Sequence, residues 1–226
     1  MTIDSQYQAG FMATQNRVRS GEPVGGSLKR GLDICIAVAG LVLVFPLMLF
    51  LACLIWSTTG RSPVFRHKRL GRGGVEFECL KFRTMVANAD QVLAALLASD
   101  PAAAEDWRRN QKLARDPRIT LLGHILRRSS LDELPQLINV LRGEMSCVGP
   151  RPIVRDELAR YGGNSDVVLQ VRPGMTGLWQ VSGRNSIGYD RRVSLDCEYV
   201  RNWSLWLDLK ILFRTIPAML KTRQTS

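Results

Sequence analysis

The chain is 226 residues long, 46% hydrophobic and 23% charged, which excludes a disordered, collagenous or polytopic membrane protein and leaves room for one domain with an anchor. Its 31 Lys and Arg stand against 20 Asp and Glu, a net charge of +11. That excess predicts an anionic partner: nucleic acid, an acidic membrane surface or a phosphorylated substrate.

Residues 1–27 carry no periodicity and read as a mobile tail. Residues 34–56 then run 23 positions without a charge. A straight helix of that length reaches about 34 Å, enough for a hydrocarbon core of about 30 Å. It exceeds the apolar stretch of a signal peptide, about 7–15 residues. Pro46 divides it, removing a backbone donor and clashing with the carbonyl of Val42, so a kink is expected. Arg17, Arg19, Lys29 and Arg30 precede the segment, and Arg61, Arg66, Lys68, Arg69 and Arg72 follow it. Both flanks are thus of the kind held on the cytoplasmic side. A bent helix that enters and leaves by one face satisfies both ends. A kinked spanning helix is the alternative, and the residues alone leave the two open. Lys29, Arg30 and Pro46 are the anchor candidates, with the two cations expected against an anionic leaflet.

From Ser57 onward the chain holds 27 basic and 17 acidic residues, nearly the whole excess. Short strands are expected at 64–65 and 75–85, around the turn Gly71-Arg72-Gly73-Gly74. Helices are expected at 86–98, from Asp100-Pro101 to 113, at 119–128 and at 131–142, the last closed by Gly143. Beyond a proline-rich loop follow helix 153–161, a short helix near 165–170, a strand-like GLWQVSG, helix 189–201 and a final amphipathic stretch at 203–220. Trp203 and Trp206 suit that stretch to the headgroup region, although packing on the core explains it equally. The class is an α-rich α+β fold. The five cysteines, Cys35, Cys53, Cys79, Cys147 and Cys197, are widely spaced with no C-x-x-C pair. Reduced thiols are expected, and neither zinc nor a disulfide framework.

The densest chemistry is Arg127-Arg128-Ser129-Ser130-Leu131-Asp132-Glu133-Leu134-Pro135. Pro135 is tolerated only near a helix start, which puts Asp132 and Glu133 in the first turn. Ser130 and Glu133 have capping-box spacing, a purely structural use of these residues. A helix start also attracts phosphate. Two carboxylates beside two arginines could divide the work there, one attacking phosphorus and one holding Mg2+. Arg151, bracketed by Pro150 and Pro152, is displayed from a stiff loop suited to phosphate. Arg172 and Arg184 sit in glycine-rich turns, and Lys81 and Arg83 are expected on one strand face. Each of these motifs is weak alone, and Asp196 by itself reads as an exposed helix acid.

Together the strings resemble the bacterial sugar transferases, the small monotopic polyprenyl-phosphate phosphoglycosyltransferases. They are Lys29-Arg30 before a proline-broken apolar segment, KFRTM at 81–85, LRRSSLDELPQLINVLRGEMSCVGPRP at 126–152, RPGMTGLWQVSGRN at 172–185 and DLKILFRTIPAML at 208–220. The resemblance covers residues 27–221 and is strongest to the short enzymes that initiate rhizobial-type exopolysaccharide synthesis. It implies transfer of hexose-1-phosphate, galactose favoured over glucose, from a UDP-sugar to undecaprenyl phosphate with release of UMP. It further implies that Asp132 is the nucleophile, that Glu133 helps bind Mg2+ with Asp196 near the metal, and that Arg127 and Arg151 meet phosphates. Lys81, Arg83, Arg172 and Arg184 join them by motif and charge. The implied organisation is a tail at 1–27, a re-entrant helix at 28–57 and a compact catalytic domain with amphipathic interfacial helices at 58–226, facing the cytoplasm at the bacterial inner membrane. A homodimer is left open. The family often has serine before the helix-breaking proline, and Phe45 stands there in this chain. Two other classes, a tethered nucleic-acid-binding protein and an inert scaffold, compete less well: no recognition module or aromatic stacking platform is visible, so no nucleic-acid partner is expected.

Overall fold

The computed structural model describes residues 24–110, 113, 115–183 and 187–221. The tail expected at 1–27 therefore lies outside the described residues up to residue 23. Helix α1, Gly26–Thr59, is 34 residues long and begins slightly earlier than expected. At 1.5 Å per residue it reaches about 51 Å. Its helical assignment continues through Pro46. Lys29, Asp33 and Ala37 near one end, and Leu51 and Ile55 near the other, are buried. Leu41, Val44 and Met48 link them as a half-buried stripe of helical spacing against the domain. The opposite face stays apolar and open, with Val42 74% and Leu43 81% exposed. By length and composition the helix is capable of crossing a membrane.

Strands β1 (Val64–Leu70) and β2 (Glu76–Phe82) form an antiparallel hairpin in which Phe65 faces Lys81, His67 faces Cys79 and Arg69 faces Phe77. β1 is much longer than the two residues expected, because its alternating cations hid the strand period. The turn needs glycine: Gly73 and Gly74 adopt φ of 67° and 70°, and the Gly73 N–H anchors to the Leu169 carbonyl at 2.8 Å.

Helices α2 (Ala89–Ser99) and α3 (Pro101–Asn110) form a side hairpin, with Asp100 accepting from the Ala102 and Ala103 amides as N-cap. No residue of α2 is buried. Helix α4 spans Leu121–Ser129, and Thr120 caps it by accepting from Gly123 N at 2.9 Å.

The expected single helix at 131–142 is two pieces. Leu131–Glu133 is a 3-10 turn and α5 runs Gln136–Arg142, closed by Gly143 at φ 80°. The capping box does not form: Ser130 makes no side-chain cap and stands at φ 56°, its N–H closing the end of α4 on Leu126 and Arg127. The serine has been taken by the helix before it.

Strand β3 (Ser146–Val148) pairs in parallel with β4 (Gly174–Thr176). Between them lie α6 (Arg155–Leu158), a 3-10 stretch Ala159–Asn164 and α7 (Ser165–Val168). The strand expected at GLWQVSG is displaced: Gly174–Thr176 takes the pairing, and Leu178–Val181 winds into a short helix, α8. Close approach explains the shift, since a Cβ on Gly177 would overlap the Gly149 carbonyl. Helix α9 spans Tyr189–Arg201, as expected, and α10 spans Leu205–Lys221. The architecture is helix-rich with two small sheets. All five cysteines are free thiols.

The two anchor cations turn away from any leaflet. Lys29 is 6% exposed and donates to Val148 O, Tyr199 Oη and Asp208 Oδ2. Arg30 donates to the Val140 and Leu141 carbonyls at the end of α5. Both bind α1 to the domain, because the orphan carbonyls of α5 and the buried Asp208 carboxylate are closer partners than a headgroup. Trp203 also points inward, its Nε1 donating to Asp208 at 3.0 Å, whereas Trp206 is 72% exposed.

Candidate active site

The sharp turn at Ser130 aims Asp132 and Glu133 in different directions. Asp132 turns in and is 9% exposed, while the Glu133 side chain is 39% exposed. Glu133 Oε1 accepts from Lys81 Nζ at 2.7 Å. Among the described residues nothing but its own backbone N–H engages the Asp132 carboxylate. Burial, then the adjacent Glu133, push Asp132 up to about 6, against the pull of Lys81 and Arg127. The pair thus contains one neutralised carboxylate and one unpaired, partly desolvated carboxylate.

Arg127 reaches the same place from the last turn of α4. Its Nε donates to Thr84 Oγ1 at 2.9 Å, which fixes the guanidinium although much of it remains open. Thr84 is held in turn: its carbonyl accepts from Thr120 N at 3.0 Å, and a Cβ on Gly123 would overlap that carbonyl. Burial lowers the Arg127 pKa while Asp132 raises it.

A second group gathers around the Pro150–Pro152 loop. Backbone bonds from Gly149 N to Thr176 O (2.9 Å) and from Gly174 N to Pro150 O (2.8 Å) hold the loop to β4. From β1, Arg69 Nη1 donates to Pro152 O at 3.1 Å and lies 3.4 Å from Glu157 Oε2. Its Nη2 is 3.3 Å from His67 Nδ1, which must accept, since a guanidinium only donates. Burial, then Arg69, then Lys81 lower the His67 pKa, so the ring is neutral near pH 7. Arg151 itself makes no side-chain hydrogen bond or ion pair among the described residues. It nevertheless acts electrostatically on His67, Arg69, Arg192 and Asp196.

Asp196 is fully buried and not an exposed helix acid. Tyr161 Oη donates to its Oδ2 at 3.0 Å. Burial pushes its carboxyl up to about 7, opposed by the Tyr161 bond and by Arg192 and Arg151.

The remaining candidates lie elsewhere. Arg83 follows the end of β2, donating to Ser62 O at 2.9 Å and resting 5.9 Å from the ring of Phe65, the cross-strand partner of Lys81, whereas Lys81 itself bonds Glu133. Arg172 donates to Gly143 O at 2.8 Å, at the end of α5 opposite to Asp132. Arg184 lies outside the described residues. Thr84, His67, Tyr161 and Arg192 were not singled out from the sequence, and Arg69 was read there only as one of the cations that follow the apolar segment. No local spacing marks His67 and Arg69, since residues 65–69 read Phe-Arg-His-Lys-Arg, and only the hairpin register places them on the face of Lys81.

Mg2+ is commonly held by one or two carboxylates completed by water and substrate phosphates. Glu133 fits that role: it is half-open, adjoins Asp132 and has a second carboxylate oxygen beyond the one Lys81 takes. No cluster of three or more metal-ligating side chains exists among the described residues. Asp196 keeps Oδ2 on Tyr161, which leaves its buried Oδ1 as the oxygen that could serve as a metal donor.

Residues 24–222 match the model of the bacterial sugar transferase family. The chain is 51% identical over 201 residues to exopolysaccharide production protein ExoY of Sinorhizobium fredii, covering 89% of each. It is 52% identical over 194 residues to the UDP-galactose-lipid carrier transferase of Erwinia amylovora and to the undecaprenyl-phosphate galactose phosphotransferase of Salmonella typhimurium, spanning 40% of each of those longer proteins.

Proposed function

The chain belongs to the bacterial sugar transferase family, and from that premise we propose that it moves hexose-1-phosphate, galactose favoured, from a UDP-sugar to undecaprenyl phosphate and so initiates an exopolysaccharide repeat unit. The observation that carries this reading is the unpaired Asp132 carboxylate beside an ion-paired Glu133, with Arg127 held over the same site.

An Asp132 oxygen attacks the sugar-bearing phosphorus. The bond from that phosphorus to the bridging oxygen breaks, and its electron pair leaves on UMP. The resulting aspartyl phosphosugar is then attacked by a phosphate oxygen of the carrier. The bond to Asp132 breaks, restoring the carboxylate and giving a diphosphate-linked sugar. Partial desolvation makes Asp132 a stronger nucleophile than a solvated carboxylate. Arg127 and Arg151 bind equatorial phosphate oxygens, and Lys81 holds Glu133 in place. Mg2+ on Glu133 would supply further neutralisation of phosphate charge.

The site must meet a lipid, which sets the anchor's geometry. Both ends of α1 are buried against the same domain. This supports a helix that returns to the side it entered, with the open apolar face in the cytoplasmic leaflet. Exposed Trp206, Phe213 and Ile216 on α10 give a second lipid-facing surface.

The test is to incubate the membrane-bound protein with Mg2+, undecaprenyl phosphate and a panel of UDP-sugars, measuring UMP and lipid-linked product. Omitting the carrier should leave a hexose phosphate on the peptide that contains Asp132. Near-normal UMP release by Asp132→Asn would falsify the nucleophile assignment.

A further inference from the structure

Arg192 lies in the first half of α9, outside every role assigned above. Its guanidinium is 4.2 Å from the centre of the Trp179 ring and 5.6 Å from that of Tyr189. Its Nε is buried without an acceptor, and no carboxylate pairs with it among the described residues. Trp179 Nε1, Tyr189 Oη and Asp196 Oδ1 are likewise buried and lack a good hydrogen bond, although the Arg151 amide faces Asp196. Unpaired buried polar atoms are uncommon, and here several crowd around one cation.

Arg151 belongs to the same cluster. It and Arg192 feel each other's charge, and burial and Arg151 together weaken protonation of Arg192. Both cations are partly desolvated, both lack acceptors, and they repel one another. Stacking on Trp179 and Tyr189 holds Arg192 in position but cannot neutralise it. Asp196, the nearest acid, already accepts from Tyr161. An arrangement of this kind is complementary to an anion that brings more than one oxygen, which is the chemistry of a phosphate.

The charges also have an order. Lys81 holds Glu133 at 2.7 Å, and His67 on the same hairpin face lies 3.3 Å from Arg69. Arg69 donates to Pro152 O at 3.1 Å beside Arg151, and the Arg151 amide faces Asp196, one turn beyond Arg192 on α9. A row of cations thus leads from the Asp132–Glu133 pair to Arg192. A diphosphate set along it puts the sugar-bearing phosphorus at Asp132 and the nucleotide phosphate farther along the row.

We propose that Arg192, fixed between Trp179 and Tyr189, joins Arg151 in binding the nucleotide-side phosphate of the substrate, the group that leaves on UMP. This rests on the phosphosugar-transfer reading. The charge it meets grows as the bridging bond breaks and its electron pair passes to UMP, so the contact strengthens toward the transition state.

The experiment measures UMP and uridine binding to the full-length protein in detergent, without carrier, together with turnover. Arg192→Gln should weaken UMP about 10- to 100-fold, Arg192→Lys less, and neither should change uridine binding or the KM for undecaprenyl phosphate. Arg151→Gln, which removes a side chain with no internal partner, should weaken UMP similarly, and the double variant should lose less than the product of the two effects. UMP affinity within about twofold of wild type in folded Arg192→Gln would overturn the proposal. An equal loss of uridine binding would also overturn it, showing Arg192 to be structural. Arg192-dependent UMP binding without sugar transfer would refute the transferase reading and leave the anion site standing.

Discussion

Lys81 Nζ and Glu133 Oε1 stand 2.7 Å apart, joining the end of β2 to the 3-10 turn across 52 residues of sequence. The bond divides two adjacent acids into different chemical species. Glu133 is ion-paired with Lys81. Asp132, buried and without such a partner, is pushed up to about 6 by burial and by the charge of Glu133 itself. An acid that must attack phosphorus is therefore poised close to neutrality.

The pH profile follows directly. Attack requires the ionised form, so kcat/KM should fall about tenfold per pH unit below an apparent pKa near 6. A steady-state profile from pH 4.5 to 8 with UDP-galactose checks this. A profile flat down to pH 5 would remove Asp132 from the rate-determining ionisation.

Substituting Lys81 should move that limb. Lys81 is the largest influence lowering the Asp132 pKa. In Lys81→Gln the acid limb should shift to higher pH, with reduced kcat at pH 7. Stability should change by only about 0–1 kcal/mol, because the pair is partly exposed at 30% and 39% and water screens it. Thermal unfolding beside the pH profile separates the two effects.

Asp132 should also cost the fold stability. Its folded pKa of about 6 lies above its ordinary value of 3.8. Its contribution is therefore complete below about pH 4 and is lost as pH rises through 6. At pH 8 the ionised carboxylate destabilises the protein by about 3 kcal/mol at most. Asp132→Asn has the same shape and cannot ionise. It should be inactive yet unfold at a temperature several degrees higher at pH 8, with the difference vanishing near pH 4. Equal melting temperatures at both pH values would contradict the burial argument.

Much of this was legible in the residues, and the gaps have physical causes. The acid pair, Arg127 and Arg151 are marked by the family resemblance rather than by spacing, because acids at a helix start also serve as caps and a proline-bracketed arginine also makes a stiff turn. Helix α9 was readable in extent, with no proline or glycine between Tyr189 and Arg201, but the buried Asp196 on its inner face was not. Ser130 was misread because two helices compete for one serine, and only the αL backbone at φ 56° decides for the earlier one. Lys29 looked like a leaflet anchor because its partner Asp208 is 179 residues away. Arg69 and Thr84 act through contacts 83 and 43 residues distant, which no local spacing reports.

The loop that displays Arg151 depends on two glycines packed face to face. A Cβ on Gly174 would overlap the Gly149 amide nitrogen and the Thr176 carbonyl. Gly174→Ala must separate β3 from β4 and break the Gly174 N to Pro150 O bond. A loss of about 1–3 kcal/mol is expected, as for overpacking, together with a raised KM for UDP-sugar. Unchanged kinetics in a stably folded variant would show that the loop tolerates the displacement.

The junction of α1 with the domain provides the last prediction. Lys29 and Asp208 form a 2.6 Å ion pair with side chains 7% and 1% exposed, and Tyr199 and Trp203 also donate to Asp208. Removing only the ammonium leaves a buried carboxylate without its counterion, which costs about 3–5 kcal/mol. Lys29→Met should therefore lower the melting temperature in detergent strongly. Lys29→Met combined with Asp208→Asn should recover part of the loss, since the amide carries no charge and its single oxygen still accepts from Tyr199, although the Trp203 bond to the other oxygen is given up. A leaflet-facing Lys29 would behave otherwise: the single variant would unfold at the wild-type temperature, and the second substitution would only add damage. The sign of the coupling between the two changes therefore decides whether this cation binds the helix to the domain or to lipid.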